Sequence, residues 1–222
     1  IPRSRQSSAR TTTWRWARSG WLALVDTITP PKCLTCHIDV ATGATLCVAC
    51  WQKLRTLDEP VCDVLGTPFE YDQGEGMVSA AAIAEPPPWD KARSAVEFND
   101  TAKQLIHLLK YKDTQEAGIT MAHMMTCAGR HLIGQSDIIL PVPLHATRLW
   151  QRRFNQSAYL ADRIAQESVK PCRMDVLLRH KRTRQQVGLS AEERRKNVRR
   201  AFDIPLEQRK HIEGKYVLLV DD

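Results

Sequence analysis

Apolar residues along this chain recur at two periods. Ala102, Leu105, Ile106 and Leu109 fall at i, i+3, i+4 and i+7, with Lys103, Gln104, His107 and Lys110 between them. That spacing predicts an amphipathic helix facing a core. Ile119, Ala122, Met125, Gly129 and Leu132 predict a second, with Met121, Met124 and Met125 as core filler. Asp137 to Val142 (DIILPV) predicts a buried strand that Pro141 and Pro143 bring to an end. Leu160, Ala161, Ile164 and Ala165 share one face of a helix predicted over Phe154 to Ser168. Asp175 to Arg179 and Ala201 to Ile204 read as short strands, and Ser190 with Glu193 forms a capping box that opens a helix through Asn197. Tyr216 to Val220 is a β-branched apolar run suited to a buried parallel strand. Upstream, Leu22, Val25 and Ile28 predict a short helix ended by Pro30 and Pro31. Val61 to Pro88 reads as a strand pair and a linker, in which Pro86, Pro87 and Pro88 form a stiff extended segment.

Charge changes this picture in two places. The 222 residues carry a net charge of +7, and five of those charges are Arg3, Arg5, Arg10, Arg15 and Arg18 in an acid-free start. Residues 1–20 are expected to form a disordered basic tail; a nucleic-acid arm stacking through Trp14 and Trp16 is the alternative. The other place is Arg173 to Lys210, where twelve Lys and Arg stand against five acids. So local an excess suggests an anionic partner, a phosphorylated small molecule or a nucleic acid. The apolar run Trp21 to Val25 is too short for a membrane span or a signal-peptide core, and a cytoplasmic location is expected. The chain opens on Ile1 rather than Met, which suggests an incomplete start.

Cysteine spacing gives the strongest local signal. Cys33-x-x-Cys36 and Cys47-x-x-Cys50 are separated by ten residues with Gly43 near their middle, enough for a hairpin between two knuckles. Four thiolates so arranged suit tetrahedral Zn²⁺, here structural because protein fills every position. Two disulfides or four buried thiols are the alternatives, both disfavoured in a reducing compartment. His37 is expected at the surface, and Cys62, standing alone, as a small buried residue.

Two charged groups bracket the predicted sheet. Asp221 and Asp222 follow the last strand, where an acid pair can accept hydrogen bonds from neighbouring sugar hydroxyls or hold Mg²⁺ through water; a solvated strand end is the alternative. Arg148, Arg152 and Arg153 lie in what reads as a loop between the DIILPV strand and the next helix. They suit a diphosphate, or else form a solvated basic loop.

The strand and acid pair VLLVDD resemble the first half of the phosphoribosyl pyrophosphate (PRPP) motif of type I phosphoribosyltransferases. With PPKCLTC, LCVAC, PPPWDKAR, LIHLLKYKD, DIILPVPLHATRLWQRRFNQS and LLRHKRTRQQVGLSAEERRKNV, the chain from Trp21 to Asp222 resembles the ComF family. That resemblance implies an α/β fold. A type I phosphoribosyltransferase-like parallel sheet, incomplete at the C-terminus, would fill residues 89–222. A zinc ribbon with its leading helix would span 21–60, and a degenerate second ribbon and linker 61–88. It implies that Asp221 and Asp222 hold the ribose of PRPP, that Pro143, His145 and Arg148 face the diphosphate, and that Arg179, Arg184, Gln185 and Arg194 belong to a mobile cover. Mg²⁺ would accompany PRPP. It also implies a link to competence and DNA uptake, with a helicase as partner; single-stranded DNA is a further candidate. No catalytic residue is assigned. Two departures from the family pattern stand out. Leu65, Ser79 and Ala82 occupy three of the four positions of a second zinc site in which only Cys62 remains, so one zinc per chain is expected. The Thr-Thr-Gly turn of the PRPP motif does not follow Asp222, which is expected to reflect a truncated sequence. Two functions compete: Mg²⁺-dependent transfer or hydrolysis at C1 of PRPP, and a non-catalytic module for DNA or a helicase.

Overall fold

The computed structural model describes residues 30–71, 74, 76–111, 115–186 and 188–222. The basic tail, Trp14, Trp16 and the helix predicted over Trp21 to Ile28 lie outside them. In chain order the elements are α1 (Val48–Trp51), α2 (Ala80–Ala84), α3 (Asp100–Tyr111), α4 (Gln115–Ala128), α5 (Arg130–Gln135), β1 (Ile138–Pro141), α6 (Ala146–Arg152), α7 (Gln156–Ser168), β2 (Leu178–Arg179), α8 (Ala191–Val198), β3 (Phe202–Asp203), α9 (Leu206–Arg209) and β4 (Val217–Val220).

The N-terminal part is one knuckle built twice. Lys32 bridges Asp39, and Val61 bridges Pro68, each antiparallel. The N–H of Cys33 donates to Ile38 O (2.8 Å) and that of Cys62 to Thr67 O (2.8 Å). Val40 donates to Pro31 O (2.8 Å) and Phe69 to Pro60 O (2.9 Å). His37 and Gly66 take the same left-handed turn, at φ 60° and 68°. Each of these pairs is offset by the same number of residues, so Cys62 and Leu65 sit where Cys33 and Cys36 do. The second halves match as well: α1 follows Cys47 and α2 follows Ser79. This corrects the strand pair and linker expected over Val61 to Pro88, in which Ala80–Ala84 is a helix capped by Ser79 Oγ, an acceptor from Ala82 N–H. Alanine repeats favour helix once a cap is present.

The rest is a small mixed α/β layer. β1 and β4 run parallel in the register Ile138↔Val217 to Pro141↔Val220, and Ile139 also bridges Cys172 in parallel. One sheet face, Ile139 and Val220, packs on Leu105 and Leu109 of α3, Met121 and Ala122 of α4, and Leu160 and Ile164 of α7. Cys33, Leu34, Leu46, Cys50 and Leu54 belong to that same core, so the first ribbon is fused to the sheet layer. The Thr120 hydroxyl seals the junction by donating to Ala44 O. On the other face Ile138 and Leu140 meet Val176, Ile204 and Ile212.

Most predicted elements are present, with five differences. The strand expected to be buried over Tyr216 to Val220 forms as β4, but only Val220 is buried, while Tyr216, Val217 and Leu219 are exposed because the sheet has no partner on that side among the described residues. The second helix breaks at Gly129 into α4 and α5, and its buried face is Ala117, Met121, Ala122 and Met124 rather than the Ile119–Met125–Leu132 stripe. The strands predicted at 175–179 and 201–204 shrink to a two-residue antiparallel pair, Leu178↔Asp203 and Arg179↔Phe202. The arginine loop after β1 is largely the helix α6, started by His145, whose Nδ1 accepts from Thr147 N–H (3.2 Å). Helix α7 begins at Gln156, two residues beyond Phe154, because Asn155 caps it. No described helix is long and apolar enough to cross a membrane.

Candidate functional site

Cys33, Cys36, Cys47 and Cys50 converge, with all four sulfurs within 4.8 Å of one another and Cys36 and Cys47 Sγ 3.5 Å apart. A zinc–sulfur bond of about 2.3 Å in a tetrahedron places sulfurs about 3.8 Å apart, so the spacing and chemistry of this donor set fit Zn²⁺. Burial pushes the Cys33 thiol up, but N–H groups of Cys36 and Cys47 aimed at its sulfur outweigh this and hold it at about 5. An N–H from Ile38 lowers Cys36 and burial raises it; hydrogen bonds with the other three cysteines then carry it up to about 12. Sulfurs so crowded cannot all ionise alone, and a bound cation removes that conflict. His37 is exposed and takes the turn, not a ligand position.

The second knuckle has the same backbone without the ligands. Cys62, fully buried, accepts N–H bonds from Leu65 (3.4 Å) and Ser79 (3.2 Å), as Cys33 accepts one from Cys47 (3.3 Å). Burial raises the Cys62 thiol, but the hydrogen bonds from Ser79 and Leu65 outweigh this and bring it down to about 7. Leu65, Ser79 and Ala82 stand at the three remaining ligand positions. Arg93 closes the knuckle from outside: Nη1 donates to Cys62 O (3.3 Å), Asp63 O (3.1 Å) and Ala92 O (2.8 Å), and Nη2 to Asp63 Oδ1 (3.0 Å). Lys91 Nζ reaches Asp63 at 2.8 Å, and Trp89 Nε1 donates to Val64 O (3.2 Å). A Cβ on Gly66 would lie 2.6 Å from Ala92 O, so the PWDKAR segment rests directly on the turn.

The acid pair sits at the carboxyl end of β4, beside the end of β1. Ser157 Oγ donates to Asp221 Oδ1 (2.8 Å), and Lys110 Nζ contacts Asp222 Oδ2 at 2.8 Å, both of these side chains largely covered. Partial burial raises the Asp221 carboxyl above its ordinary range; the Ser157 bond opposes this and the Asp222 charge adds to it. Asn155 places Ser157 by donating to Val142 O (3.1 Å) while capping α7 through the Ser157 N–H (3.2 Å).

The arginines gather on the same side. Arg148 Nη2 donates to Thr183 O (3.1 Å), and Arg179 Nη2 to Thr183 Oγ1 (2.5 Å). Burial, then the like charge of Arg148, lowers the Arg179 pKa, and Asp221 opposes them. Arg179 Nε is buried with no acceptor. Arg148, Arg184 and Gln185 line one open cavity of 460 Å³ with Thr147, Gln151, Arg182 and Thr183. Of the residues expected to share a site, Arg179 is therefore within electrostatic reach of both Arg148 and Asp221, and Arg184 and Gln185 join Arg148. Pro143 and His145 stay at the exit of β1, His145 as a helix cap. Arg194 is exposed on α8 and does not line the cavity. Within the segment expected as a mobile cover, Arg184 N–H donates to Asn197 Oδ1 (3.1 Å) and Asn197 Nδ2 to Arg184 O (3.0 Å). Sequence reading missed Ser157, Lys110 and Thr183 as site members. A serine in the first turn of a helix after a strand was the one available signal; Lys110 looked like a solvated helix position.

The described parts define a class: a zinc-ribbon pair fused to a small parallel α/β layer with an acid pair and clustered arginines at its carboxyl edge. The double zinc ribbon domain family matches residues 24–82. The DNA utilization protein YhgH of Escherichia coli O157:H7 is 27% identical over 199 residues, 87% of this chain and 84% of that protein. Competence protein F of Haemophilus influenzae is 26% identical over 198 residues, 86% and 83% of the two chains. YhgH of Salmonella typhimurium is 26% identical over 199 residues, 87% and 84%. No solved structure is a significant match. These relatives, named for competence and DNA utilization, span most of the chain, and they support its resemblance to the ComF family.

Proposed function

We propose that the carboxyl edge of the sheet binds a phosphorylated ribose, PRPP or a nucleotide-like relative, in a protein that serves DNA utilization. The observation that carries this reading is the unbalanced pair Arg148 and Arg179. Two guanidiniums repel each other there, one with a buried Nε lacking an acceptor, and a phosphate would relieve both. Asp221 and Asp222 would accept from the ribose hydroxyls on oxygens that Ser157 and Lys110 leave open. Mg²⁺, entering with a diphosphate, would neutralise further charge there, held by the same acids through water. If the ligand is PRPP, the reaction class is transfer or hydrolysis at C1, with Arg148 and Arg179 stabilising the departing diphosphate. Calorimetric titration of the full chain with PRPP and Mg²⁺ tests the reading. Binding should require Mg²⁺ and weaken at least tenfold in Asp222→Asn and in Arg148→Ala; equal binding by both variants would rule the site out.

A second reading, an accessory module that touches DNA or a helicase without turnover, is supported by the names of the relatives and by the twelve basic residues between Arg173 and Lys210. It predicts binding to single-stranded DNA with a strong salt dependence.

A further inference from the structure

Helix α6 presents two different faces to solvent. Ala146, Leu149 and Trp150 fall at i, i+3 and i+4 and line a shallow apolar depression with Arg153. Trp150 is 86% exposed, among the least covered of the large apolar side chains, and Leu149 is 42% exposed. The other face, Thr147 and Arg148, looks into the arginine cavity. Gln151 lines both, so the two hollows share a wall. Among the described residues, little covers this indole.

Charge states what could cover it. No Asp or Glu occurs between Asp137 and Asp162, nor between Asp175 and Glu192, and these are the segments that build both hollows. They contribute Arg148, Arg152, Arg153, Arg179, Arg182 and Arg184. An occupant must therefore offer a flat apolar face and repeated negative charge. An unpaired nucleotide run has both, since each base has a π-face and each linkage a phosphate. A duplex hides its faces, and a free mononucleotide would fill one hollow only.

We propose that α6 and the arginine cavity form a surface for single-stranded nucleic acid, with Trp150 stacking one unpaired base while Arg148, Arg182 and Arg184 hold neighbouring phosphates. This surface adjoins the acid pair without including it. It gives the accessory reading a location and a stacking residue, and rests on that reading.

The experiment is fluorescence anisotropy of labelled dT20 with the full chain across a salt series. Trp150→Ala should weaken binding roughly 5- to 150-fold, the value of one stacked base. The salt slope should stay unchanged, because no phosphate contact is lost. Trp150→Phe should stay within a few-fold of the parent. Arg184→Ala should reduce the slope by about 0.7, as for one phosphate contact on a single strand. Equal binding by Trp150→Ala, or equal competition by a blunt duplex of the same length, overturns the proposal. So does a Trp150→Ala variant that binds dT20 normally but sediments differently, since the patch would then be an interface between copies. Asp222→Asn should leave dT20 binding intact; loss there places the strand in the ribose site instead. PRPP binding in Trp150→Ala is expected to persist, so failure of the ribose site and failure of this surface are read separately.

Discussion

Replacing Arg93 by Met tests how a zinc knuckle survives the loss of its metal ligands. The guanidinium is 13% exposed and its four hydrogen bonds join two carbonyls of the knuckle, one of the PWDKAR segment and the Asp63 carboxylate. Methionine keeps the stem's volume and removes every donor. Each charged hydrogen bond contributes about 1.5–3 kcal/mol, and the losses overlap because Lys91 still neutralises Asp63. A local destabilisation of about 2–3 kcal/mol follows, equivalent to a roughly 30- to 150-fold rise in opening. Hydrogen exchange read by mass spectrometry measures this directly, through the amides of Cys62, Gly66 and Phe69, each bonded inside the knuckle. Those amides should lose protection in Arg93→Met while Cys33 and Val40 keep theirs. Zinc removal by a chelator should do the reverse, releasing Cys33 and Val40 and leaving Cys62 and Phe69 protected. Zinc content should be one per chain. A content of two, or a chelator that releases both knuckles equally, would refute the claim that the second holds without metal.

Three further outcomes follow. Asp221→Asn should leave the protein as stable or slightly more stable at neutral pH. The native carboxyl is raised, so its stability contribution is present at low pH and lost as pH rises through its folded value; thermal melts at pH 5 and pH 8 check the sign. Asp63 is held low by Lys91 and then Arg93, so its contribution is present above the ordinary Asp range near 4 and lost as pH falls through its depressed value; protection at Cys62 should decay over that window and not in Asp63→Asn. Gly118→Ala should cost about 1–3 kcal/mol in denaturant melts, because its Cβ would lie 2.4 Å from Tyr159 Cε1 and 3.1 Å from Leu109 Cδ1; a neutral result would mean that the α4–α7 contact is loose.

Particular residues mark what was legible. The Cys33–Cys50 spacing announced a metal knuckle because four thiols at that spacing have few other uses. The Ser190–Glu193 box announced α8, and both of its hydrogen bonds are made. The same reading took 144–153 for a loop, because a histidine is a weak cap signal and α6 is short. It spread the strands at 175–179 and 201–204 too widely, because apolar content does not say how many residues find a partner. Arg194 was grouped with Arg184 through the family resemblance, yet it sits exposed on α8 and does not line the cavity.

The sequence by itself determined the elements whose signals are local: the amphipathic helices, the capped helix, the buried strand β1, the existence though not the burial of β4, and the four-cysteine cluster. Hydrophobic period, caps and ligand spacing act over a few residues, so they can be read in one line of text. Only the tertiary structure decided that Ser157 meets Asp221 and Lys110 meets Asp222. It also decided that Arg148 and Arg179 both bond Thr183, and that Arg93 closes a knuckle thirty residues upstream. Those contacts depend on how parallel strands and their helices stack, and a charge's partner across that stack leaves no mark at its own position in the chain.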